Sequence, residues 1–281
     1  MTTYAVTGST GPFGRTAIET LLAHGVAPSS IVAVARTPAK AGDLAGRGVV
    51  VREGDYDRPD TLEPALAGVD RLLLVSGSEL GNRVAQHTAV IDAAAAVDVD
   101  RVVYTSVQRA DGTHLLAPEH AGTERALQAS GLPHSVLRNA LYLGVFTSRL
   151  DQAVATGAVV HAAGDGRVAA ATREDLAEAA ALTLLHDDGP SSVRELAGEP
   201  FTYADLAAAF AEVSGAPVEA RAVSAEELSG ILAAAGLDAG TAGFVVALDQ
   251  AIGAGEFDVA STDLDDLLGR APRTLADSLR T

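Results

Sequence analysis

The run Thr7-Gly8-Ser9-Thr10-Gly11-Pro12-Phe13-Gly14 sets three glycines at G-x-x-G-x-x-G spacing, directly after a short apolar stretch and directly before a helical one. No other feature restricts the fold as much. Gly8 permits a tight turn, Gly11 lets the backbone approach a pyrophosphate, and Gly14 lets the following helix pack closely on the strand. The unpaired N–H groups of the first helical turn then face the anion. The strand–turn–helix context makes this signal far stronger than the letters alone. Thr10 and Phe13, inside the turn, join the three glycines as dinucleotide-binding candidates.

Short apolar runs of strand length recur at residues 4–7, 31–35, 49–52, 71–75, 101–105 and 134–137. They are continuous rather than alternating, as strands buried on both faces should be. Helical stretches at 12–23, 61–66, 83–96 and 119–129 lie between them. Repeated β-α-β of this kind implies a doubly wound parallel sheet with right-handed crossovers, an α/β Rossmann fold. After Asn139 the rhythm changes to a helix over 141–155, a Gly-punctuated patch over 157–166, a helix over 173–185 and a strand over 193–196. Further helices are expected over 202–214, 225–235, 242–252 and 262–268. The reading is a Rossmann domain over 1–155 with a returning segment near 168–197, and a smaller, mostly helical lobe over 156–281 that closes over the carboxyl edge of the sheet.

The end of the second strand selects the dinucleotide. An acid there would hold a ribose 2′-hydroxyl, whereas a cation would hold a 2′-phosphate. The chain reads Ala35-Arg36-Thr37-Pro38-Ala39-Lys40, with no acid at the strand end. Arg36 can fork onto a phosphate and stack beside adenine, with Thr37 and Lys40 as helpers, so NADP(H) is expected. Asp55 and Tyr56 follow the third strand, where they either flank the adenine or form a surface turn. Ser76-Gly77 follows the fourth strand and Tyr104-Thr105 ends the fifth, both at the carboxyl edge where such sheets bind ligands.

Composition removes several alternatives. There is no Cys, which excludes disulfides, thiolate metal sites and cysteine nucleophiles. The formal charge of −17 comes from acids scattered along the chain, which argues against nucleic acid as a partner. Met1-Thr2-Thr3 leads into a strand without a basic n-region, and no apolar run reaches spanning length, so a cytoplasmic protein without membrane partners is expected. Six of the seven histidines show no metal-ligand spacing, and no G-x-S-x-G elbow surrounds Ser76, Ser78 or Ser106. The apolar helix faces leave the oligomeric state open, a homodimer included.

Taken together, Thr7 to Gly14, Val34 to Lys40, Glu53-Gly54-Asp55-Tyr56, Tyr104-Thr105-Ser106 and Leu137 to Tyr142 resemble the NmrA-like atypical short-chain dehydrogenases. Ala163-Gly164-Asp165-Gly166 and Ala171-Thr172-Arg173 extend the match. Within that group the chain is most similar to bacterial NAD(P)H quinone oxidoreductases, with triphenylmethane reductases close behind. The resemblance implies NADPH-dependent hydride transfer to a small-molecule quinone or dye-like acceptor in a cleft beneath the smaller lobe. NmrA-like relatives also include non-catalytic NADP(H)-sensing regulators, the alternative reading.

Typical short-chain dehydrogenases use Tyr-x-x-x-Lys to exchange a proton with an alcohol or ketone. Here the corresponding helix carries His120-Ala121-Gly122-Thr123-Glu124, and Lys40 is the only lysine in the chain. Simple alkoxide chemistry is therefore disfavoured. A quinone becomes a delocalised phenolate-like anion that water can protonate, and a triarylmethane cation needs no proton. Proximity is then the main requirement. Asn139 and Tyr142, just past the sixth strand, are candidates to line the gap, and His120 is a candidate to orient or protonate the acceptor oxygen.

Overall fold

In the computed structural model, which describes residues 1–186 and 189–280, the short apolar runs assemble side by side into one seven-stranded sheet. The strands along the chain are β1 (Tyr4–Val6), β2 (Ile31–Ala35), β3 (Val50–Glu53), β4 (Arg71–Leu74), β5 (Arg101–Val107), β6 (His134–Asn139), β7 (Ala158–His161), β8 (Arg167–Val168), β9 (Ser192–Leu196), β10 (Phe201–Thr202) and β11 (Glu219–Ala222). The helices are α1 (Pro12–Ala23), α2 (Gly42–Gly46), α3 (Leu62–Leu66), α4 (Arg83–Ala96), α5 (Ala117–Ser130), α6 (Leu143–Thr147), α7 (Leu150–Thr156), α8 (Arg173–Leu185), α9 (Tyr203–Ser214), α10 (Ala225–Ala234), α11 (Ala239–Gly253), α12 (Asp263–Leu268) and α13 (Leu275–Leu279).

The sheet order is β3-β2-β1-β4-β5-β6-β9, and all of its pairings are parallel. The continuous apolar runs have a direct cause. Ala5, Val32, Leu72, Val102 and Val136 face one core with Leu62, Leu66, Val90 and Ile91 of α3 and α4. Their neighbours Val6, Ala33, Leu73, Val103 and Leu137 face the opposite core with Ile18 and Leu21 of α1 and Leu176 of α8. Each strand thus feeds two cores and has no polar side to show. The chain leaves β1 in one direction along the sheet, towards β2 and β3, and later returns on the other side through β4, so a crevice opens at the carboxyl ends of β1 and β4.

A separate core fills the lobe. It holds Phe146, Phe201, Phe210 and Phe257, four of the six phenylalanines, together with Tyr203, Leu206, Leu248 and Ile252. Two small sheets, β8–β10 antiparallel and β7–β11 parallel, brace it. The strand β7 lies inside the patch read from sequence as merely Gly-punctuated. Between the two lobe segments, α8 and β9 return to the main sheet, and α8 packs its Ala177, Ala180 and Ala181 in the core shared with α1.

One expected element is replaced. The helix expected over 141–155 is broken into α6 and α7 by a turn at Ser148 and Arg149, and Phe146 on the first piece and Ala153 on the second both enter the lobe core. The helix expected over 242–252 begins earlier, at Ala239, since the Asp238 carboxylate accepts from the backbone N–H groups of Gly240 and Thr241. No helix among the described residues is long and apolar enough to cross a membrane.

Candidate functional site

The glycine turn is held rigidly. Gly8 has φ +59°, a conformation open to glycine at little steric cost. The Gly11 N–H donates to the Gly8 carbonyl at 2.9 Å, and a Cβ at Gly14 would lie 2.5 Å from that same oxygen. A side chain at Gly14 has no room, so α1 starts directly against the turn. Ser9 Oγ donates to the Val34 carbonyl at 2.8 Å. Thr7 Oγ1 donates to the Leu73 carbonyl and accepts from the Val75 N–H at 2.9 Å and from the Tyr56 hydroxyl at 2.6 Å. These bonds tie the turn to β2 on one side and β4 on the other. Gly11 brings no capping side chain and the first turn of α1 carries no acid, which leaves its N–H groups to an outside anion.

The turn forms the floor of a cleft of about 530 Å³. Its walls include Gly8, Thr10, Gly11 and Phe13, then Arg36, then Asp55 and Tyr56, then Ser76 and Gly77, and at the far end Tyr142 and Arg173. Arg36 sits on the rim, 67% exposed, with its guanidinium 3.6 Å from the Glu79 carboxylate. The Ser76 N–H donates to Thr105 Oγ1 and the Gly77 N–H to His87 Nε2, each at 2.9 Å, so groups behind the wall set the path of this loop. Burial holds the Tyr56 phenol well above its ordinary range, so it stays a donor.

Several expected site residues stand outside the cleft lining. Lys40 is exposed beyond β2, where its carbonyl accepts from the Arg15 guanidinium. Thr105 lies one layer behind the wall, and Tyr104 is fully buried. His120, 6% exposed, has its Nδ1 2.8 Å from the Tyr104 hydroxyl inside the α5–β5 interface. Asn139 is also buried, and its side-chain carbonyl oxygen has no hydrogen-bond partner among the described residues. Sequence spacing gives the place of a residue along its strand or helix but not which face it occupies.

The buried histidines have a measurable consequence. Burial first, then the charge of Arg83, pushes both His87 and His120 down to about 3. Neutral His87 accepts the Gly77 N–H at Nε2, so its proton is on Nδ1 and donates to Thr123 Oγ1 at 2.9 Å. In the unfolded chain each ring titrates near ~6.5. Between about pH 6.5 and 3 the unfolded state therefore binds two more protons than the folded one, and stability is full above that window and falls as pH falls through it. The expected loss is about 2–3 kcal/mol per pH unit below 6.5. Urea midpoints at pH 7.0, 6.0 and 5.0 check this, and His120→Asn should roughly halve the slope. A flat profile would contradict the burial of both rings as neutral species.

The structure adds residues that sequence reasoning passed over as functional. Arg173, the first residue of α8, has its guanidinium carbon 4.9 Å from the centroid of the Tyr142 ring. Both residues line the cofactor-sized cleft and also an adjoining cavity of about 440 Å³, whose other walls include Thr147, Arg273 and Ser278. The tail reaches there because the fully buried Asp175 accepts from the guanidiniums of Arg270 and Arg273, at 2.8 and 2.7 Å, and from the Arg273 N–H. Gln86 donates to Asp57 and Glu79 at 2.8 and 3.0 Å and fixes the acid that faces Arg36. The only local signals were the Thr172 cap of α8 and the Thr274–Asp277 capping box of α13.

The NmrA-like family model matches residues 2–262. Quinone oxidoreductase 2 of Escherichia coli is 41% identical over 280 residues, covering 98% of this chain and 96% of that one. The crystal structure of the NADPH-dependent quinone oxidoreductase of Escherichia coli complexed with NADPH superimposes with a TM-score of 0.95 at 39% identity, over 99% of this chain and 98% of the other. The Citrobacter triphenylmethane reductase complexed with NADP(H) gives a TM-score of 0.93 at 37% identity, over 99% of both chains.

Proposed function

The chain belongs to the NmrA-like family, and from that premise we propose that it is an NADPH-dependent oxidoreductase that delivers hydride to a quinone or a similar conjugated electrophile. One observation carries the reading. A single cleft runs from a glycine turn built for a pyrophosphate, past Arg36, to Tyr142 and Arg173, where it meets a second cavity of acceptor size.

The fit to the cofactor is steric as well as electrostatic. Gly8 supplies the left-handed φ of the turn, Gly14 the room for the turn to sit against α1, and the free N–H groups of α1 supply donors to the pyrophosphate. Arg36 holds the 2′-phosphate, and Lys40 adds attraction at longer range. Asp55 and Tyr56 flank the adenosine, and Ser76 and Gly77 support the ribose and nicotinamide. Bound there, NADPH supplies a hydride. Tyr142 borders the reacting gap. Asn139, His120, Tyr104 and Thr105 act from behind the wall as positioning groups, since they order β5, β6 and the loop after β4. Removal of water from this gap and alignment of the acceptor against it are what the protein contributes. The acceptor is a small molecule met in the cytoplasm, and the net charge of −17 speaks against a nucleic-acid partner.

Loss of NADPH absorbance on addition of benzoquinones, naphthoquinones and triphenylmethane dyes tests the proposal. Acceptor-dependent turnover with at least one quinone is expected. A panel with no acceptor-dependent oxidation would overturn the catalytic reading.

A further inference from the structure

The residue pair that matters most beyond this reading is Arg173 on Tyr142. Arg173 is half-buried, and no carboxylate among the described residues forms a salt bridge with it. The nearby cation Arg273 is different, because Asp175 engages it. Glu174 lies on the same cavity wall but is exposed, where water screens it. A guanidinium left unpaired in a shared wall between two cavities is an anion-binding group without an anion. The Tyr142 ring beneath it, at 4.9 Å, fixes its plane by a cation–π contact.

We propose that Arg173 is a catalytic residue that stabilises the negative charge formed on the acceptor oxygen, and that it tunes this site to neutral quinones over cationic dyes. The proposal rests on the reductase reading above. In the step it serves, a neutral quinone takes up hydride, one hydrogen with two electrons, while NADPH is oxidised to NADP⁺. The nicotinamide C4–H bond breaks as an O–H bond forms at one quinone oxygen, both carbonyl π bonds give way to the aromatic ring, and the other oxygen carries the negative charge of the hydroquinone monoanion. Arg173 donates N–H bonds to that oxyanion, and a proton from water then completes the hydroquinone. Guanidinium keeps its own protons throughout, so the residue does by charge what the absent Tyr-x-x-x-Lys would do by proton transfer. A triphenylmethane cation becomes neutral on reduction. For it the same guanidinium offers nothing to the product and repels the substrate.

The test uses the full chain with Arg173→Gln and Arg173→Lys. The probe for the anion is 4-nitrophenol with NADP⁺ present, read by the absorbance of its phenolate. Wild type should lower the apparent pKa of bound nitrophenol by at least about one unit, Arg173→Lys should keep part of the shift, and Arg173→Gln should lose it. In turnover, Arg173→Gln should lower kcat for a neutral naphthoquinone by ~10-fold or more and raise kcat/KM for a cationic dye. Fluorescence titration should show NADPH affinity changed by less than about threefold in Arg173→Gln. Failure of wild type to shift nitrophenol, an equal shift in Arg173→Gln, or a tenfold loss of NADPH affinity that accounts for the rate would each overturn the assignment, the last by making Arg173 a cofactor ligand. A wild type that binds and shifts nitrophenol yet oxidises NADPH with no quinone would instead refute the reductase reading and leave the anion site standing.

Discussion

Arg36→Asp is expected to weaken NADPH binding by about 100-fold or more while changing NADH affinity by less than about threefold, which inverts the cofactor preference. The guanidinium stands at the end of β2, two-thirds exposed on the rim of the cleft. A 2′-phosphate there gains charge-assisted, fork-shaped hydrogen bonds, and an aspartate would replace that attraction with repulsion. Glu79, 3.6 Å away, already engages Arg36. An exposed pair of this kind is worth only about 0–1 kcal/mol, so it lowers the wild-type affinity slightly and leaves the sign unchanged. Isothermal titration of both nucleotides against wild type and variant decides the matter. Equal wild-type affinities for NADPH and NADH would remove Arg36 from its role.

Asp175→Ala should lower stability by about 3 kcal/mol, the low end of what breaking a buried ion pair costs. The carboxylate is completely buried and accepts three bonds from Arg270 and Arg273, so its loss strips charge-assisted bonds from the junction of α8 and the tail. The low end applies because the two guanidiniums are 39% and 44% exposed and can return to water. For a chain of this size the melting temperature should fall by about 6–12 °C. The same variant frees the segment that carries Arg273 and Ser278, two walls of the cavity proposed for the acceptor, so quinone KM should rise while NADPH affinity changes little. A melting temperature within two degrees of wild type, read as roughly no loss of stability, would show that the tail is held by something else.

Much of the dinucleotide half was legible in the chain. The turn Thr7 to Gly14 and the two-sided apolar runs stated the sheet, because burial on both faces forbids polar alternation and a pyrophosphate turn forbids side chains at set positions. The acceptor half was not legible. Asn139, Tyr142 and His120 were all reasonable from their places at strand and helix ends, yet only Tyr142 lines a cavity. The break between α6 and α7 is the reason for part of this. A continuous helical pattern over 141–155 does not reveal the turn at Ser148 and Arg149 that separates the two pieces. Arg173 stood in the sequence only as part of the Ala171-Thr172-Arg173 resemblance, with no role assigned, since nothing local says that its neighbour in space is Tyr142.

Spacing and residue type alone thus determined the fold class and the glycine cradle, and made NADP(H) the expected cofactor, because those depend on a few residues adjacent in the chain. Local geometry suffices for a turn, a strand end and a helix N-terminus. Tertiary structure alone decided which groups meet at the cavity beyond the cleft. That gap is walled by residues 142, 173, 273 and 278, which come together only after α8 has returned to the sheet and Asp175 has pinned the tail beside it. No periodicity encodes a contact between residues so far apart in sequence. It is fixed by the close fit of Ala-rich α8 against α1 and by the buried carboxylate at its start.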